Sequence, residues 1–171
     1  MRNIILLSLL LVFTNSHAQE GQIIKGGKWY NIFPNKTVVL NVDPQNNFYA
    51  EIVKGNDLVF EYFMRADEYA DRTDDEYFEK ILFSVPKNAT SFYFTDTTIK
   101  AAFLQGCFCP DRGWHSFSDG FIKGKKINAT TWKVEFDVMT KPNPLKNANA
   151  ITRKFKATFS VYKEPVSKKK K

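Results

Sequence analysis

Between Thr131 and Met139 a large apolar side chain returns at every second residue: Trp132, Val134, Phe136 and Val138, with Lys133, Glu135 and Asp137 in between. A period of two belongs to an extended chain, whose side chains point alternately to opposite faces, and a helix cannot gather it onto one stripe. The segment is therefore a strand with one buried face and one wet face. The same spacing recurs in Phe48, Ala50 and Ile52, in Leu58, Phe60 and Tyr62, in Ile81, Phe83 and Val85, in Phe92 and Phe94, and in Phe155, Ala157, Phe159 and Val161.

Turn-forming residues stand between these runs. Gly55-Asn56 separates Phe48–Lys54 from Asp57–Met64 as a tight hairpin turn would. Asn128-Ala129-Thr130 joins Gly120–Ile127 to Thr131–Met139, and Pro86 stops the run that begins at Lys80. Ile99–Gln105 fits either a short strand or a helical turn, and Lys141–Ala150 is a Pro/Asn-rich loop. The acid-rich stretch ADEYADRTDDEY (66–77) is too polar for a core strand and reads as one or two helical turns or a long loop. About nine short strands, with no amphipathic helices between them, predict an antiparallel all-β fold: a β-sandwich, with a closed β-barrel as the alternative.

The N-terminus has a separate logic. Arg2 precedes an apolar run, Ile4–Phe13, broken only by Ser8, and the polar Thr14–Ala18 follows with small residues Ser16 and Ala18 at the −3 and −1 positions. That is the pattern of a secretory signal peptide cleaved before Gln19. The apolar run is about half of the roughly 20 residues a membrane-spanning helix needs. The expected organisation is a leader over 1–18, a single β domain over 19–164 and a lysine-rich tail over 165–171. No second long apolar run follows, so no transmembrane span is expected in the mature chain, and the destination is the periplasm or the cell exterior.

Lys and Arg together number 25 against 18 Asp and Glu, but Arg2 leaves with the leader and Lys168–Lys171 sit in the tail. Little positive excess remains for the folded domain. No basic stripe interleaved with aromatics is visible along the chain, so nucleic acid is not an expected partner. The tail reads as a solvated chain end.

Several segments taken together carry a resemblance: LVFEY (58–62), DDEY (74–77), the C-F-C triplet (107–109), GFIKGKKI (120–127) and TWKVEFDV (131–138), with a leader ending in Ala before Gln and a Lys/Asn-rich composition. With these the chain resembles uncharacterised exported β-rich proteins of Bacteroidetes-type bacteria. The resemblance implies a location and a β fold, and no activity.

Chemistry-bearing residues are few. Once the leader is removed His115 is the only histidine, and no G-x-S-x-G elbow occurs. Cys107 and Cys109 stand within nine residues of that histidine. In an exported chain two cysteines default to a disulfide. In a straight strand their Cα atoms would lie about 6.6–6.8 Å apart, the outer limit for a bridge, so closure needs a bend that Pro110 and Gly113 can supply. The alternatives are two inert buried thiols, or two thiolates offered with His115 to one soft ion, Cu(I) or Zn²⁺. A second cation candidate is Asp71, Asp74 and Asp75 in the acid-rich stretch, which lacks the spacing of a calcium loop and otherwise reads as a solvated loop. Trp29, Tyr30 and Trp114, set among Gly and polar residues, are surface aromatics suited to stacking on a glycan, whereas Trp132 belongs to the core. Paired carboxylates for glycoside hydrolysis cannot be matched to each other along a sequence.

The order of functional readings is a non-enzymatic exported binding or scaffold protein of the cell envelope, then a thiol-based metal or redox module, then an envelope hydrolase. Export itself is open to test. Mass spectrometry of the protein from its native host is expected to show an N-terminus at Gln19, and an intact Met1 on a cytoplasmic protein would overturn the reading.

Overall fold

The computed structural model describes residues 23–69, 74–95, 98–142 and 149–164; the leader, the lysine tail and Asp71 lie outside them. Ten strands form in chain order: β1 Ile23–Ile24, β2 Gly27–Val42, β3 Phe48–Arg65, β4 Glu68–Tyr69, β5 Phe78–Pro86, β6 Ser91–Thr95, β7 Ala101–Gly106, β8 Gly113–Asn128, β9 Thr131–Thr140 and β10 Thr152–Val161. The chain is all-β, as the period-two pattern predicts. No helix forms among the described residues, and none is long and apolar enough to cross a membrane.

Eight strands make one sheet in the order β6-β8-β7-β5-β3-β2-β10-β9, and β8 also pairs with β9. The sheet therefore bends round until its two ends meet. Its pairs are antiparallel except for a two-residue parallel contact between β10 and β2, where Ser160 lies opposite Asn31. The ring is not a clean barrel, because β6 attaches as a branch to the distal half of β8 while β7 takes the proximal half. β1 and β4 form a separate two-stranded ribbon, with Ile23 opposite Tyr69.

For β5, β6, β9, β10 and the second half of β3, the inward residues are the apolar set read from the sequence; of Phe48, Ala50 and Ile52, the first two enter a second layer and Ile52 is exposed. Ile32, Phe60, Phe83, Phe103, Ile122, Trp132, Phe136 and Phe159 are sealed in one cluster contributed by seven strands. Strands far apart in the sheet meet there: the Phe60 ring of β3 stands edge-on to Trp132 of β9 at 5.5 Å, and Phe83 of β5 meets Phe136 at 5.9 Å. Opposite walls of the sheet thus pack on each other as the two layers of a sandwich do.

The Gly55-Asn56 reading needs correction. β3 runs unbroken through those residues, and the hairpin turn lies at Asp43–Asn47, where the Asn46 N–H donates to the Asp43 carbonyl at 2.9 Å and the Asp43 carboxylate accepts from the Asn47 N–H at 2.7 Å. At Gly55 the β2–β3 hairpin bends instead. Lys36 pairs with both Lys54 and Asp57 across a bulge, and a Cβ on Gly55 would sit 1.9 Å from the Thr37 hydroxyl oxygen. The glycine is there for close approach, not for a reverse turn. Beyond the bend the hairpin folds back over the outer face of β3, β5 and β7. There Val38, Leu40, Phe48 and Ala50 cover Val59, Leu82 and Ala102, and the Val38 N–H donates to Ser84 Oγ at 2.6 Å.

Trp132 is 1% exposed, in agreement with its place in the alternation. Truncation to alanine removes contacts with both sheet walls, so Trp132→Ala is expected to cost about 3–5 kcal/mol in a denaturant titration. A near-neutral effect would contradict the packing described.

Candidate functional site

β7 ends at Gly106, a position that must stay bare: a Cβ there would lie 2.1 Å from the Phe78 ring, which crosses the strand at this point. The chain then bends through Cys107-Phe108-Cys109, turns at Pro110-Asp111 and enters β8 at Gly113, whose φ of 118° lies in the region that favours glycine. The bend brings the cysteine Cα atoms to 5.2 Å, inside the usual bridging range, and the sulfurs form a close pair. Gln105, buried and inward-facing, donates from its amide nitrogen to both sulfurs, at 3.4 Å to Cys107 and 3.6 Å to Cys109. Its amide oxygen is buried with no hydrogen-bond partner.

His115 does not join the sulfurs. It is buried beside Phe103, and its Nε2 lies 2.8 Å from the Asp111 carbonyl oxygen. A carbonyl only accepts, so Nε2 carries the proton and the ring clamps the Cys loop to β8. The donor atom that completes a group with the two sulfurs belongs to Asp111: one atom each from Cys107, Cys109 and Asp111 lie within 4.8 Å of one another. It is the only such group of three or more ligating side chains among the described residues. Asp74 and Asp75 form no ligand cluster there, although both line a cleft of about 560 Å³ together with Glu68, Glu76 and Cys107. The two cation candidates thus meet in one cleft, and Phe108, 75% exposed, stands at its edge.

The aromatic candidates separate. Trp29 is 44% exposed and leans on Phe63 with ring centres 5.4 Å apart. Tyr30 points inward instead, against Tyr62 and Phe159. Trp114 is half-buried beneath the folded-back hairpin. The period-two rule decides both cases, since Tyr30 shares a face with Ile32 and Trp114 faces the second apolar layer. Tyr93, 62% exposed, is the surface aromatic that sequence reading passed over.

Tyr93 borders a groove of about 1110 Å³, lined by Lys123 and Lys125 of β8, Lys133 and Glu135 of β9, and Lys156 of β10. Glu135 is shared by Lys123 and Lys156, each at 3.3 Å. Lys125 lies directly opposite Lys133, and neither has an acidic partner among the described residues. Lys123 also lies over the Phe121 ring at 4.7 Å, and that ring meets Tyr93 at 5.8 Å. A basic stripe with aromatics beside it therefore exists, contrary to the sequence reading. It is assembled from outward positions of adjacent strands that are distant in the chain.

Inside the sheet Glu79 is sealed between partners. Arg153 Nε donates to its Oε2 at 2.8 Å, a second guanidinium nitrogen and the Tyr77 hydroxyl donate to Oε1, and the guanidinium carbon sits 5.5 Å above the Phe103 ring. Three donors thus take up most of the acceptor capacity of this buried carboxylate. Compared with family models, with curated proteins and with solved structures, the chain matches none.

The network sets an alkaline limit. Burial pushes the hydroxyls of Tyr62 and Tyr77 from 10.0 up to about 12, aided by the Glu79 charge at Tyr62 and by the hydrogen bond to Glu79 at Tyr77. The folded state holds these protons more tightly than the unfolded state, so their contribution is intact below pH 10 and is lost as pH climbs toward 12. Phenolate absorbance and loss of β-sheet circular dichroism are expected to rise together in that window. Full tyrosine ionisation near pH 10 with the fold intact would contradict the network.

Proposed function

We propose that this chain is an exported, non-enzymatic binding protein of the periplasm or cell exterior, and that it holds an acidic polysaccharide of the cell envelope along the groove between β6 and β10. The observation that carries the reading is the Lys125–Lys133 pair. Like charges directly opposite each other on a strand pair oppose folding, and here they sit in a concave surface with four lysines against one glutamate. A polyanion would relieve that repulsion. Tyr93 at the groove edge offers a ring face of the kind on which sugars stack, which favours a glycan over a bare phosphate. The leader predicted over 1–18 would deliver the domain to where such polymers occur. We read the close Cys107–Cys109 pair as a disulfide, which an oxidising compartment would maintain.

Retention of the mature protein on immobilised polygalacturonate, neutral dextran and duplex DNA tests the proposal. Binding to the acidic glycan alone is expected, weakening with added salt. Lys125→Glu with Lys133→Glu is expected to lower affinity by about tenfold or more, equivalent to about 1.4 kcal/mol. Equal retention on dextran, tighter binding to DNA, or an unaffected double variant would each overturn it.

A further inference from the structure

We propose that the reduced form of the Cys107–Cys109 pair is a zinc site, with Asp111 as its third ligand and Gln105 as the residue that orients the sulfurs. The site is separate from the basic groove, and no residue lines both. Four observations carry it. The three donor atoms already converge within 4.8 Å, against the separations of about 3.3–3.8 Å that bonds of 2.0–2.3 Å impose around a tetrahedral Zn²⁺. Reduction releases the bond between the sulfurs, which then part to that separation while the carboxylate rotates toward them, since all three residues are on one bend and only partly buried. The Asp111 backbone is pinned by the proton-bearing Nε2 of His115, which fixes where the carboxylate departs from the chain.

Gln105 supplies the second observation. It is nine-tenths buried, and its amide hydrogens reach both sulfurs. A buried side chain in contact with both sulfurs fixes where they sit relative to the bend. The third is the unpartnered Gln105 amide oxygen, a buried acceptor whose cost is understandable if the side chain is held for the sulfurs. The fourth is the field: Asp74, Asp75 and Glu76 line the cleft that Cys107 faces, with Glu68 there already paired to Arg65, so a cation approaching the sulfurs is drawn in.

The donor set chooses the metal. Cu(I) prefers sulfur throughout, and Ca²⁺ or Mg²⁺ want oxygen throughout, whereas two thiolates with one carboxylate suit Zn²⁺. Three protein ligands leave the fourth position for water. The chemistry balances with an added reductant. A phosphine takes oxygen from water and becomes the phosphine oxide, and the two hydrogens go to the sulfurs as thiols. Each thiol then releases its proton to buffer as a Zn–S bond forms.

The test uses the mature chain, phosphine-reduced under anaerobic conditions, in competition with a chromophoric chelator for Zn²⁺. One equivalent is expected to bind the reduced protein and none the oxidised protein. Cys107→Ser is expected to abolish uptake, and Gln105→Leu to weaken it about 10–100-fold, the usual cost of losing an outer-shell partner. Asp111→Asn, on an open turn and checked for folding by circular dichroism, is expected to weaken it too. In the reduced wild type, Co²⁺ should give thiolate-to-metal charge-transfer absorption. Absence of uptake by reduced wild type, equal uptake by the oxidised form, or an Asp111→Asn protein with wild-type affinity would overturn the assignment.

Discussion

The Phe60 ring holds the sheet closed. It stacks on Phe83 at 4.9 Å, meets Phe92 and Trp132 edge-on, and reaches Phe159, so it touches four other strands at once. Each aromatic pair adds about 0.5–1.5 kcal/mol to what burial of its area already supplies. Without this contact across the interior, the wall formed by β3 and β5 would lose its hold on β9 and β10. The outer surfaces of β8, β9 and β10, on which the lysines stand, would not curve into a groove.

Closure also decides where polar groups can go. The interior admits the Glu79–Arg153 ion pair because Tyr77 and the second guanidinium nitrogen add two donors to the one that Arg153 Nε supplies. A buried charge left unmatched is far more costly than a matched one. Gln105 lies across from Glu79 on β7, and its side chain turns to the sulfurs rather than to that pair. The interior charge network and the Cys bend are therefore neighbours in the sheet with separate partners. The acidic cleft lies against β1, β4 and the end of β7, and the basic groove lies over β6, β8, β9 and β10. One chain of modest net charge thus presents two surfaces of opposite sign.

The legible parts of the fold were those where one residue's environment repeats along a strand. The run from Trp132 to Val138 is buried at each apolar position and wetter between them, and β6 coincides with the predicted Ser91–Thr95. The acid-rich stretch was less legible, because what places Glu68–Tyr69 in a strand is pairing with Ile23–Ile24, more than forty residues earlier. Gly55-Asn56 failed for the same reason. Its composition suits a turn, but the partner of Phe48–Val53 is β2, and a bend that needs a bare Cα selects glycine equally well. For the candidate site, local spacing brought the two cysteines together, but the donor that stands beside them is Asp111 and not His115. His115 sits on an inward strand position, whereas Asp111 sits on the turn.

The amino-acid order alone determined that this chain forms strands, which side of each strand is apolar, and that Trp132 is core. Those properties follow from the two-residue period and the transfer of apolar surface from water, and both are local. Only the tertiary structure decided that the ring closes through the parallel contact of β10 with β2, that Trp114 lies beneath the folded-back hairpin, and that Asp111 rather than His115 stands beside the sulfurs. It also decided that lysines from three strands share one groove. Such outcomes depend on which strands become neighbours, and strand order is set by packing across the interior between residues far apart in the chain.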